Sequence, residues 1–204
     1  KNFTGCGPSY GNCIMTTSTN AHFSNQPPAI ERELCAFLES AEVSYDLHRH
    51  APLFTVEDSK DKRGDMIGVH SKNLFLKEKK GGYVLVVCEE DRAIRIKHLE
   101  KAIGAKRLSF GSAELLGSVL GVIPGAVSPF ALFNDRHEAQ VRLILDAQMM
   151  AAGDAGALLH FHPMHNEATL AVTSDALRAF FAATGHNPEE IDFDALEVLS
   201  AADS

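Results

Sequence analysis

The chain has no tryptophan and only three tyrosines among its 204 residues, so any aromatic surface must come from phenylalanine. No interleaved aromatic stripe of the kind that stacks unpaired bases is present. No run of 18 apolar residues occurs, which excludes a membrane-spanning helix and makes a membrane partner unexpected. The four cysteines, Cys6, Cys13, Cys35 and Cys88, form no C-x-x-C pair and no zinc spacing. Cys35 and Cys88 read as packed thiols, and Cys6 and Cys13 could pair. Also missing are a G-x-S-x-G elbow, a Walker loop, a G-x-G-x-x-G turn and an H-E-x-x-H helix. The stretch Lys1–Pro28 lacks a continuous apolar segment and is rich in Gly, Ser, Thr and Asn. It is expected to be an irregular N-terminal extension rather than a secretory signal, and the protein is expected to be cytoplasmic.

What is present is an uneven charge. The net charge of −8 argues against a nucleic-acid partner at face value. Yet residues 60–107 hold 13 of the 19 lysines and arginines against seven acids. A basic middle on an acidic body suits a protein that touches phosphates with one face, although each cation could equally be a solvated surface charge.

Apolar periodicity predicts one α+β domain over residues 29–204. Ile30, Leu34, Phe37, Leu38 and Ala41 recur at helical spacing behind Pro27-Pro28. Asn73–Lys77, the turn Lys80-Gly81-Gly82 and Tyr83–Cys88 read as a hairpin. Helices are expected at Ile96–Ile103, at Ser112–Leu120 and after Thr173. Strands are expected at Val43–Leu47, Phe130–Phe133, Val141–Leu145, Leu158–Phe161 and Thr169–Val172. Strands and helices mix without regular βαβ alternation, which argues against a doubly wound sheet.

Two places suggest chemistry. In Ser71-Lys72-Asn73-Leu74-Phe75-Leu76-Lys77, Lys72 shares strand parity with Leu74 and Leu76, while Asn73 shares it with Phe75. A lysine on a core-facing row either reaches water at the strand end or meets an anion. His160, His162 and His165 invite a metal reading, with Glu167 as a fourth ligand, but Pro163 breaks the strand between them. Histidines satisfied by backbone at a strand end are the simpler reading, and no metal or other cofactor is expected.

Four blocks, taken in order, are similar to the YbaK family, the editing domain of bacterial prolyl-tRNA synthetase and its free-standing relatives. They are His70–Lys77, Arg107-Leu108-Ser109-Phe110-Gly111, Leu120–Phe130 with Asn134-Asp135, and Phe161-His162-Pro163 with Asn166, Ala168 and Thr169. The resemblance implies a curved, half-barrel-like mixed sheet surrounded by helices, and a hydrolase that clears Ala-tRNA(Pro). The partner it implies is the aminoacylated acceptor end of a tRNA, with prolyl-tRNA synthetase as a potential second one; DNA is not expected. It places Lys72, Asn73, Gly125 and His162 in the catalytic group. The loop Gly125-Ala126-Val127-Ser128-Pro129, a G-x-x-x-P motif, would cradle the substrate with its backbone.

An aminoacyl ester is already activated, so its hydrolysis needs positioning, a water and charge stabilisation more than a protein nucleophile. Selectivity would come from a pocket that admits alanine and rejects proline. Leu53, Phe54 and Thr55, together with Ala126, Val127, Ser128, Pro129 and Pro163, are the candidate substrate-binding residues. The competing readings are a deacylase for Cys-tRNA(Pro) or Ser-tRNA, a nucleic-acid-binding module without catalysis, and a metal-dependent hydrolase built on the histidines.

Overall fold

The computed structural model describes residues 28–52 and 66–196. Leu53, Phe54 and Thr55 lie outside the described residues. Helix α1 (Ala29–Ser40) begins behind Pro28, whose carbonyl accepts the N–H groups of Glu31 and Arg32 at 3.1 and 3.2 Å. Helix α2 (Ile96–Ile103) ends at Gly104, and α3 (Ala113–Leu120) is capped by Ser112, whose Oγ accepts the Leu115 N–H at 3.1 Å. Asp146 caps α5 (Ala147–Asp154), and Thr173 caps α6 (Ser174–Ala183) in the same way.

The segment expected as a strand at Phe130–Phe133 is helical instead: a 3-10 turn at Pro129–Ala131 runs into the short α4 (Leu132–Asp135). The reason is local. Ser128 accepts the Phe130 N–H at 3.0 Å and Pro129 occupies the first helical position, so a capping pair starts a helix inside an apolar run. The strand expected at Val43–Leu47 falls slightly later, as β1 (Asp46–Arg49).

Seven strands follow one path in an unclosed mixed sheet, in the order β1, β7, β6, β2, β3, β5, β8, with β4 attached to β2. They are β2 (Val69–Glu78), β3 (Tyr83–Glu89), β4 (Leu108–Phe110), β5 (Val141–Asp146), β6 (Leu159–Phe161), β7 (Ala168–Val172) and β8 (Glu189–Ile191). The expected hairpin is β2–β3, in register from Ser71↔Glu89 to Lys77↔Tyr83. Parallel pairs β2–β6, β3–β5 and β5–β8 mix with antiparallel ones, as an α+β chain without βαβ repetition requires.

Each sheet face is covered by different helices. On one, Phe75, Leu85, Val87, Leu143, Leu159, Phe161 and Leu170 pack with Leu34 and Leu38 of α1, Leu116 of α3, Phe130, and Phe180 and Phe181 of α6. On the other, Leu76, Val84, Val86, Cys88 and Ile144 pack under Leu99 and Ile103 of α2 and Phe193. Every such buried Leu or Phe contributes on the order of 1.5–3 kcal/mol of hydrophobic stabilisation. The strand parity read from the sequence therefore holds: Leu74 and Leu76 face one cluster, Phe75 the other.

Candidate active site

Strand β2 organises the site because its free edge is shared. β3 pairs along the whole of one edge, so β6 and β4 must both lie on the other. β6 covers its start, Val69↔Leu159 and His70↔His160, and β4 covers its end, Leu76↔Phe110 to Glu78↔Leu108. Between these two partners lie Lys72 and Asn73.

Parity sends these neighbours to opposite faces. Lys72 lies opposite Cys88, on the face of Leu74 and Leu76; Asn73 lies opposite Val87, on the face of Phe75. His162 stands two residues beyond His160, as Lys72 stands two beyond His70, and β2 and β6 are parallel. Continuing that alternation, Lys72 on β2 and His162, the residue just after β6, fall on one face. The His70 and His160 rings stack there at 4.5 Å, only 8° from parallel.

His162 is half-buried, and its Nδ1 donates to the Ala168 carbonyl at 2.8 Å. A carbonyl only accepts, so in the neutral ring the proton sits on Nδ1 and Nε2 keeps its lone pair. Burial lowers the pKa of His162 below 6.5, against the Ala168 bond, and the neighbouring His50, His165 and His70 push the same way. His50 packs beside it, ring centroids 5.9 Å apart, with Nδ1 on the Ala51 carbonyl and Nε2 on Thr169 Oγ1, both at 2.9 Å. Its pKa is also lowered, chiefly by burial.

The G-x-x-x-P loop is built as a turn. Pro124 and Gly125 occupy the two central positions, Gly125 has φ +87°, and the Ala126 N–H closes onto the Ile123 carbonyl at 3.0 Å. A positive φ after a proline is the type II pattern, which favours glycine. A Cβ at Gly125 would meet nothing within 4 Å, so bulk is not what restricts this position; the backbone angle is. Ala126 is buried and Val127 half-buried, both packed with the cluster on Asn73's face, whereas Gly125 is exposed. Ser128 is fully buried with its hydroxyl oxygen capping the next turn, and Pro129 is buried beside it.

The His-Pro segment is locked from two sides. Pro163 is buried, and Met164 adopts φ +63°, a left-handed conformation costly for a methionine. Asn134 donates both to the Leu120 carbonyl, at 2.8 Å, and to Met164 Sδ, at 3.8 Å, tying the end of α3 to this loop. A Cβ at Gly121 would stand 2.5 Å from Asn134 Nδ2, so that position needs glycine. On the other side Glu31 of α1, 2% exposed, meets His165 Nε2 at 2.6 Å and Arg49 at 2.5 Å. Burial raises the Glu31 pKa, but the bonds from His165 and Arg49 outweigh it and leave the carboxylate below its ordinary 4.5.

The three histidines of the metal reading do not converge. His165 turns to Glu31, His160 stacks on His70 with Nε2 3.2 Å from the Ile67 carbonyl, and His162 bonds Ala168. Among the described residues no group of three His, Cys, Asp or Glu side chains is placed to hold a metal ion. No helix among them is long and apolar enough to cross a membrane.

Strand register thus puts Lys72 and His162 on one face of the sheet, and Asn73 on the opposite face, where Ala126 and Val127 pack. Sequence reasoning missed His50 and the Glu31–Arg49 clamp. Glu31 and Arg49 are 18 residues apart on different elements, and no local pattern links them. The exposed lysines Lys77, Lys79, Lys80 and Lys106 lie toward the other end of β2, where the Lys79 N–H meets the Lys106 carbonyl at 3.4 Å.

The chain belongs to the aminoacyl-tRNA editing domain family, whose profile matches residues 50–180. It is 35% identical over 168 residues to prolyl-tRNA synthetase associated domain-containing protein 1 of Danio rerio, covering 82% of this chain and 90% of that one. It is 31% identical over 163 residues to the prolyl-tRNA editing protein ProX of Acetoanaerobium sticklandii, covering 79% and 96%. The fold is similar to the crystal structure of a candidate trans-editing enzyme for prolyl tRNA synthetase, with TM-score 0.62 and 16% identity over 82% of this chain and 99% of that one.

Proposed function

We propose that the protein is a trans-acting deacylase that hydrolyses mischarged Ala-tRNA(Pro). One observation supports this reading above the others: Lys72 on β2 and a neutral-leaning His162 at the end of β6 fall on one face of the sheet, in a chain of the editing family. Water adds to the ester carbonyl, the bond to the ribose oxygen breaks, and that oxygen leaves with a proton. Lys72 offers its charge to the developing oxyanion or the terminal phosphate. His162 Nε2, the acceptor nitrogen, orients the water or the adjacent 2′-hydroxyl. The basic 60–107 region takes the phosphates of the tRNA body, and its affinity should weaken with salt.

The G-x-x-x-P loop forms the wall that excludes proline. Because a Cβ at Gly125 has open space, Gly125→Ala tests the backbone angle alone, at a strain of roughly 1–2 kcal/mol. The deciding experiment follows release of amino acid from tRNA(Pro) charged with alanine, cysteine, serine or proline. Alanine should be released fastest and proline least. Release of none of them would overturn the reading; preferred release of cysteine or serine would reassign the substrate.

A further inference from the structure

The uncovered part of the β2 edge narrows to one residue. Even-numbered residues of β2 point their backbone groups at β3: Glu78 N–H reaches the Gly82 carbonyl at 2.9 Å, and the His70 carbonyl accepts from Glu90 N–H at 2.9 Å. Both pairs keep the β2–β3 register, so backbone bonding alternates and the odd residues face the other edge. That edge confirms it. Val69 N–H bonds the Leu158 carbonyl at 2.8 Å, toward β6, and the Phe75 carbonyl accepts from Gly111 N–H at 2.9 Å, beyond β4. Ser71 still belongs to the β6 side, its hydroxyl on the His160 carbonyl at 3.1 Å. The chain after β6 turns away at Pro163, and the chain after β4 turns away at Ser112 to enter α3.

Asn73 is the odd residue left between them. Among the described residues neither its main-chain N–H nor its carbonyl has a strand opposite. Among the same residues its buried side-chain Oδ1 likewise has no hydrogen-bond partner. Unpaired polar groups of this kind cost stability in a folded protein unless a ligand meets them.

We propose that Asn73 receives the aminoacyl group through its main chain, as a one-residue strand added to the β2 edge; this rests on the deacylase reading above. Two residues in a hydrogen-bonded antiparallel pair exchange both of their bonds. An α-aminoacyl ester carries one residue's worth of that pattern, an α-ammonium donor and a carbonyl acceptor. The ammonium gives a hydrogen bond to the Asn73 carbonyl, and the ester carbonyl accepts from the Asn73 N–H. The same N–H then serves the oxyanion as water adds, on the strand that carries Lys72. The ligand class is any α-amino acid ester, so this contact reads the α-amino group and leaves side-chain size to the pocket wall.

Proline suits the test because it is tolerated in strands where the N–H faces an open edge. Asn73→Ala removes the side chain alone; Asn73→Pro also removes the N–H. Asn73→Pro should fold, with a melting temperature close to that of Asn73→Ala, and should lose at least a further tenfold in kcat/KM on Ala-tRNA(Pro). Leu74→Pro, which removes an N–H on the β3 side, should fail to fold. Independently, tRNA(Pro) charged with lactic acid keeps the ester and methyl group but lacks the ammonium. Once normalised to spontaneous hydrolysis, the wild-type protein should cleave it at least tenfold more slowly than the alanyl ester. Equal rates for the two esters would overturn the proposal, and this arm decides the matter if Asn73→Pro is unfolded. So would equal activity of folded Asn73→Pro and Asn73→Ala. Absence of wild-type activity on every charged tRNA would instead remove the deacylase reading itself.

Discussion

The face of the sheet that carries Lys72 divides into two unlike halves. Along β2, β3 and β5 it is a filled core: Leu76, Val84, Val86, Cys88 and Ile144 are fully buried beneath Leu99 of α2 and Phe193. Along β2, β6 and β7 the same face presents Lys72, His70, His160, His162 and Thr169. Lys72 and Cys88, paired across β2 and β3, mark the boundary. The Cys88 thiol shows how apolar the first half is, since burial pushes its pKa up to about 12 despite the nearby ammonium of Lys72. One half spends its side chains on packing. The other keeps groups that can hold an anion and accept a proton, placed by the same strands. The contrast teaches that stability and chemistry are separable here by position along a strand, and substitutions should separate them too.

The largest effect belongs to the polar half. Lys72→Ala should lower deacylation of Ala-tRNA(Pro) on the order of 10³-fold, roughly 4 kcal/mol in the transition state, while the melting temperature stays put. Parallel rate assays and thermal melts check both statements. A variant with near-normal turnover would break the division. The mirror experiment is Leu76→Ala in the apolar half, expected to cost about 3 kcal/mol of stability while the rate per folded molecule is unchanged. Denaturant titration alongside the rate assay reads that pair of outcomes.

The apolar half was legible in the sequence because alternation and helical spacing encode which side chains are buried. The β2–β3 hairpin, α1, α2 and α6 follow from such patterns, and Phe130–Phe133 shows their limit. A continuous apolar run does not distinguish strand from helix, and there the Ser128-Pro129 capping pair decided. The polar half was legible only as residue types. That Lys72 and His162 share a face follows from the parallel register of β2 and β6, strands separated by some eighty residues, which no local pattern specifies. The Glu31–His165–Arg49 clamp was hidden for the same reason, since it joins α1, the His-Pro loop and the end of β1. The role of Gly125 was legible only in part, because the open space around it became visible in three dimensions alone.

That clamp, at the far edge of the polar half, offers a third, smaller test. Glu31→Gln keeps the shape but removes the charge that His165 and Arg49 share, and should cost about 1–3 kcal/mol of stability, as for a hydrogen bond to a charged group. The loss should be greatest at neutral pH. The folded pKa of Glu31 lies below its ordinary 4.5, so its contribution is present above that value and fades as pH falls through the folded one. Denaturant midpoints of the two proteins should therefore converge in acid. A constant difference down to the lowest accessible pH would show that packing, not charge, holds the loop.

The smallest expected effect is the pH response of the histidine pair itself. Burial holds both His162 and His50 below the ordinary 6.5. Between 6.5 and each lowered value the unfolded chain binds a proton that the folded protein refuses, so stability rises with pH across that window. Read downward, stability present above about 6.5 is lost progressively as pH falls toward the folded pKa values. Activity should follow the folded values instead, because the reading requires His162 Nε2 unprotonated: kcat should hold below pH 6.5 and drop only as the buried ring finally charges. His162→Gln should lower the rate and abolish that acidic limb, whereas His50→Gln should change stability across the same window and leave the limb in place. An unchanged limb in His162→Gln would mean that another group in the polar half sets the protonation state on which turnover depends.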